Sequence, residues 1–177
     1  MNDDLLKRFQ LRAAQFAIGP STLRNQGAPN VVASAREFLN GLDLGHFRVD
    51  TPAAFRRELD EETENLQKAF PVDARHWGAA RKALNIFLRD VLYHHYLCEE
   101  FGFRHLEPWL EVPLDSQVAH GLLGEPEGSG LTRWRTIKNL TATTSDDYQN
   151  IAERVAQRRR VARVHLDLIY WRNKDEA

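Results

Sequence analysis

Trp77-Gly78-Ala79-Ala80-Arg81-Lys82-Ala83-Leu84-Asn85 opens the most apolar helical stretch of the chain. Ala83, Ile86, Phe87, Val91, Tyr93 and Leu97 continue it, and the spacing predicts a helix over 79–98. So little polar surface remains that this helix is expected to be the longest and the central one. It carries one lysine, Lys82. Such a lysine either snorkels, with its stem on apolar surface and its ammonium in water, or sits in a pocket. In a pocket, loss of water favours the neutral amine, which is a nucleophile toward an electrophilic carbon.

A second stretch, Val112-Pro113-Leu114-Asp115-Ser116-Gln117-Val118, supplies a carboxylate. Asp115 follows a proline-containing break and reads as the N-cap of a helix over 116–122. A cap holds its carboxylate still, so capping and chemistry are compatible roles. An amine beside a fixed carboxylate suits attack on a sugar C1′, where the carboxylate stabilises the developing cation and helps move protons.

Working outward, apolar spacing predicts a helix over 3–17, carrying Leu5, Leu6, Phe9, Ala13 and Phe16. Gly19-Pro20 breaks it, and 23–29 is a polar loop. Asn30 caps a short helix carrying Val31, Val32, Ala35, Phe38 and Leu39. Thr51-Pro52 starts a helix that runs to about Ala69, because threonine caps and proline suits the first helical position. Gly102 ends the central helix, and 105–110 gives a turn. The loop 124–130 is rich in glycine. Thr132 is expected to cap a short helix to Leu140, Thr144 and Asp147 a helix over 146–158, and a last helix covers 161–172. No stretch alternates as a strand would. The expected class is all-α, about eight helices, one domain of two lobes (1–70 with 144–177, and 71–143) and a cleft between them.

Bulk properties are those of a soluble globular chain: 177 residues, 42% hydrophobic and 28% charged. One cysteine, Cys98, excludes an internal disulfide and suits a reducing cytoplasm. The acidic start, Met1-Asn2-Asp3-Asp4, is unlike a signal peptide, and no apolar run reaches membrane-span length. The formal net charge of −1 is unlike that of many nucleic-acid binders. The charge is uneven, however: acids crowd 58–64 and arginines crowd 154–163. That arginine run is a solvated helix face or a phosphate contact.

Asp167 and Trp171 stand four apart and share a helix face. Together they offer a ring to stack on and an acceptor for purine N–H groups, as a flipped base requires. Trp171 also reads as an ordinary core residue. His94, His95 and Cys98 do not amount to a metal site, and no phosphate-cradling glycine motif is present. No metal and no cofactor are expected.

Residues 78–85 resemble the hairpin-to-helix segment of the helix-hairpin-helix DNA glycosylases, in which a Gly-x-Gly hairpin precedes the catalytic lysine. Residues 112–118 resemble that superfamily's Val-Pro-x-Asp-Thr/Ser-x-Val segment, whose aspartate is catalytic. The spacing is closest to the archaeal 8-oxoguanine DNA glycosylases. That type also pairs an aspartate and a tryptophan near its C-terminus, as Asp167 and Trp171 stand here, and reads the base with an N-terminal glutamine, for which Gln26 is the candidate. In this chain Ala80 replaces the hairpin's second glycine.

The resemblance implies a DNA glycosylase and β-lyase of base excision repair that removes an oxidised purine through a lysine Schiff base. Lys82 and Asp115 would be catalytic. Gln26, Asp167 and Trp171 would bind the base. Gly78 and Arg81 would contact phosphate. The implied partner is double-stranded DNA carrying a damaged base, bound by a monomer in the cytoplasm or nucleoid. The alternative is a binding module on the same fold, for DNA or for a protein, without catalysis.

Overall fold

The computed structural model describes residues 2–171. Among the described residues there are nine α-helices and no strand. They are α1 (Asp3–Ala17), α2 (Val31–Gly41), α3 (Pro52–Ala69), α4 (Trp77–Tyr93), α5 (His95–Phe101), α6 (Phe103–Leu106), α7 (Ser116–Leu123), α8 (Ala142–Arg159) and α9 (Leu166–Tyr170). The all-α reading holds, and no described helix is long and apolar enough to cross a membrane.

Local chemistry explains the helix starts that the sequence made plain. Thr51 Oγ1 accepts the Ala54 N–H at 3.2 Å, with Pro52 at the first helical position. Asp115 Oδ1 accepts the N–H groups of Gln117 and Val118 at 2.9 and 3.0 Å. Gly102 adopts φ 70°, the left-handed conformation that ends α5.

Other expectations are corrected. The helix predicted over 79–98 is two helices, because His94 leaves the helical region at φ −85°, ψ 107° and caps α5 by accepting the Leu97 N–H. Apolar periodicity runs through the break because α4 and α5 face one core. The longest helices are α3 and α8, at 18 residues each against 17 for α4. Thr132 caps nothing: 131–136 is non-helical, and only Ile137–Asn139 turns, as a 3₁₀ segment. The cap of α8 is Thr141, whose Oγ1 accepts the Thr144 N–H, so Thr144 lies inside the helix. Arg160, at φ 58°, closes α8. The last helix is the short α9, preceded by a 3₁₀ turn at Arg163–His165, and the final residue of its expected range lies outside the described residues.

Buried apolar side chains form two clusters. One joins α1 to α6 and runs from Ala13 to Leu110, with Val164 added. The other, from Val112 to Leu166, joins α7, α8 and α9 to Trp134 and Leu140. Neither matches the expected lobes. Residues 71–110 pack with the N-terminal helices, because Ala79, Ala83, Leu84, Phe87 and Leu88 on α4 bury against α1 and α3. Residues 148–156 and Leu166 pack with α7, because α8 turns Tyr148, Ala152, Val155 and Ala156 toward it.

A buried ion network ties the clusters together. Arg81, 1% exposed, donates from Nε and Nη2 to both oxygens of Glu111 at 2.9 and 3.0 Å. Its Nη1 reaches the Leu59 carbonyl, Thr63 Oγ1 and Asp60. Asn85 donates to Glu111 at 3.0 Å, and Arg56 stands 3.5 Å from it. Burial pushes the Glu111 carboxyl up, but the Arg81 charge and hydrogen bonds, with Arg163 and Asn85, outweigh it and hold it at about 2.

Glu111 therefore stabilises the fold fully above its ordinary value of 4.5, and that contribution fades as pH falls toward 2. Glu111→Gln leaves Arg81 buried with only Asp60 as counter-charge. The expected loss is about 3 kcal/mol, the low end for a broken buried pair. Chemical denaturation at neutral pH checks the magnitude, and the acid limb between pH 5 and 2 should flatten in the variant.

Candidate functional site

One cavity of about 570 Å³ takes its lining from α1, the 21–26 loop, α4, the start of α7, the 134–137 segment and α9. Gln26, Lys82, Asp115, Asp167 and Trp171 all line it. These are the five residues assigned from sequence to catalysis and base binding.

Lys82 comes from the outer face of α4, one residue beyond the buried Arg81. Its side chain is 13% exposed. Its Nζ donates to the Thr22 carbonyl at 3.3 Å and stands 3.9 Å from Asp115 Oδ2. Burial pushes the ammonium below its ordinary value of 10.5, and Arg24 adds to this, while Asp115 and Asp167 pull it back up. Asp115 divides its two oxygens: Oδ1 caps α7, and Oδ2 faces the lysine.

The segment bearing Asp115 is held from three sides. Glu111 is gripped by Arg81 and Asn85 on α4. Val112 exchanges two hydrogen bonds with the Gln149 amide of α8, at 3.1 and 2.8 Å. Arg163 donates to the Trp109 and Leu110 carbonyls.

Asp167 enters from α9 and pairs with Arg89, about two helical turns beyond Lys82 on α4. Arg89 pairs with Oδ2 of Asp167, and Asp167 lines the cavity. Burial raises the Asp167 carboxyl, with Asp115 adding to it and the Arg89 charge opposing. Trp171 caps α9, its N–H bonded to the Asp167 carbonyl at 3.0 Å, and the residue is 70% exposed. It is not a core residue. Gln26 sits between Asn25 at φ 63° and Gly27 at φ 101°, two left-handed positions that asparagine and glycine tolerate. Only 3% of Gln26 is exposed, and its buried Oε1 has no hydrogen-bond partner among the described residues.

Two assignments are corrected. Arg81 cannot reach DNA phosphate: all its donors point into the buried network with Glu111, Asp60, Thr63 and Leu59. Gly78 offers no open turn either. A Cβ there would press on the Ile137 carbonyl oxygen and lie 2.6 Å from Leu140 Cβ, so its lack of a side chain serves close packing at the start of α4. The arginine run is also spent in part. Arg158 and Arg159 pair with Glu125 and Glu127.

The sequence reading missed Phe16, Arg24, Arg89, Trp134 and Arg135 as lining residues. Phe16 was assigned to the inner face of α1, but that face is made of Gln10, Ala13, Ala14 and Ala17, and Phe16 stands 71% exposed at the rim. The run of alanines was the available signal, since small residues mark where a helix packs closest.

The arrangement brings together an amine whose charge burial disfavours, a fixed carboxylate 3.9 Å away, a second carboxylate, the Gln26 amide and three aromatic side chains. It can hold a flat polar ring and bring an amine to an electrophilic carbon. Among the described residues no group of His, Cys, Asp or Glu side chains is placed as a metal site requires. Compared with protein-family models, with curated proteins and with solved structures, the chain matches none.

Lys82 is expected to titrate below 10.5, and Asp115→Asn should lower it further, because the carboxylate is the largest influence raising it. Carbon-13 NMR of reductively methylated lysines follows both. An unshifted Lys82, or an upward move in the variant, would contradict the geometry.

Proposed function

We propose that the chain is a DNA glycosylase with β-lyase activity, of the helix-hairpin-helix type, acting on an oxidised purine such as 8-oxoguanine. One observation carries the proposal. Residues 26, 82, 115, 167 and 171, drawn from four separate elements and assigned from sequence alone, line a single cavity. In this reading the two apolar clusters correspond to two helical lobes, and the cavity is the cleft between them.

The damaged base leaves the stack and enters the cavity. Trp171 stacks on it from the rim. Asp167 and Gln26 read its edge, their side-chain oxygens accepting its N–H groups. The neutral Lys82 amine attacks C1′ and forms a C–N bond as the C–N bond to the base breaks, with the electron pair leaving on the base. Asp115 Oδ2 stabilises the developing sugar cation and takes part in moving the amine's proton. Opening of the sugar then gives a Schiff base on Lys82, from which β-elimination cleaves the strand.

The buried Gly78 and the formal charge of −1 favour a second reading, a binding module on the same fold without catalysis. The glycosylase reading places the protein on double-stranded DNA as a monomer in the cytoplasm or nucleoid, and the module reading gives it DNA or a protein as its partner.

Incubation with a duplex carrying 8-oxoguanine, in borohydride, separates them. The glycosylase reading expects a covalent adduct with the wild type, none with Lys82→Gln, and a rate lowered about 100-fold or more in Asp115→Asn. Binding without any adduct would establish the module instead.

A further inference from the structure

We infer that the non-helical segment 131–136, with the turn Ile137–Asn139 that follows it, is the protein's contact with the DNA backbone. This rests on the reading of the cavity as a DNA site. It assigns phosphate binding to Arg133, Arg135 and Lys138 rather than to the glycine turn before Lys82.

The charge pattern comes first. No acidic residue occurs over 128–145, which carries Arg133, Arg135 and Lys138. None occurs over 5–36 either, which carries Lys7, Arg8, Arg12, Arg24 and Arg36. The acids that bring the formal net charge to −1 lie elsewhere, many of them on α3. These two acid-free stretches meet at the cavity: Arg24 and Arg135 line it. Lys138 Nζ lies 4.0 Å from where a Cβ on Gly27 would stand, beside the turn that holds Gln26. A nearly neutral protein thus gathers a positive field around one opening, which is where an anionic polymer would be steered.

The cations are also available. Arg24, Arg133, Arg135 and Lys138 are exposed, and none of them forms an ion pair among the described residues. Arg56, Arg81, Arg89, Arg158 and Arg159 are all committed to carboxylates. A cation already paired must give up its partner to take a phosphate, so the unpaired ones bind with less loss.

The segment is held in place without using its charges. Trp134, between the two arginines, is buried and meets Tyr148 edge-on, with ring centroids 5.6 Å apart. Tyr148 donates to the Thr132 carbonyl at 2.7 Å. Thr136 Oγ1 donates to Asn139 Oδ1 at 2.8 Å. The chain is thereby anchored at 132, 134, 136 and 139, while 133, 135 and 138 point out. The same segment covers Gly78 through Ile137 and Leu140, so the part that closes the glycine turn is the part that offers cations in its place.

The test is the salt dependence of binding to a short undamaged duplex, followed by fluorescence anisotropy. Each phosphate contact contributes about 0.9 to the slope of log K against log salt. Arg133→Gln, Arg135→Gln and Lys138→Gln together should flatten the slope by about 2–3. The charge-keeping set Arg133→Lys, Arg135→Lys and Lys138→Arg should restore it. A control set on other surfaces, Arg57→Gln, Lys68→Gln and Arg104→Gln, should leave it within about one contact of the wild type. Circular dichroism establishes that each set folds. A wild-type slope in the first set, or equal flattening by the control set, would overturn the assignment while leaving the DNA reading intact. No binding by the wild type even at low salt would overturn both.

Discussion

The placement of Lys82 and Asp115 hangs on the buried pair of Arg81 and Glu111. The pair joins α4 to the start of the 111–115 segment. Arg81 precedes Lys82, and Glu111 lies four residues before Asp115. Fixing the first two therefore fixes where the second two emerge. A surface ion pair would hold neither element, because solvent and side-chain entropy would loosen it. Burial makes the pair costly to form and more costly to break, which is the property a positioning device needs.

The same logic separates what could be read in the sequence from what could not. Helix starts marked by Thr51-Pro52 and Asp115 were legible, because the capping chemistry is local, whereas α2 starts after Asn30 without a side-chain capping bond. The break at His94 was not, since α5 continues the apolar face of α4 and periodicity is blind to a change of axis. The segment 131–140 read as a helix because Thr132 resembles a cap. Its conformation is decided by Trp134 and Tyr148, which are far from local.

At the site, the residues with an unusual neighbour were the readable ones: a lysine in an apolar helix, an aspartate sharing a face with a tryptophan. Arg81 was misread for an instructive reason. An arginine beside the key lysine suggests a role at the surface, yet one step along a helix turns a side chain by about 100°. Lys82 faces the cavity, so Arg81 faces the core. Gly78 was misread because a glycine before a helix suggests a turn, whereas here its missing side chain admits the Ile137 backbone.

Gln26 carries a consequence of a different kind. Its amide oxygen is buried and unpaired among the described residues, a state that costs about 1–3 kcal/mol in a folded protein. The fold gives up part of its stability at that one atom. On the glycosylase reading, a base whose N–H reached that atom would recover it, and one of the same shape with a lone pair there would not. At about 1.4 kcal/mol per tenfold, the gap is roughly five-fold to more than a hundred-fold in preference. On that reading, selectivity between two near-identical rings would come from a bond the protein leaves unmade in itself.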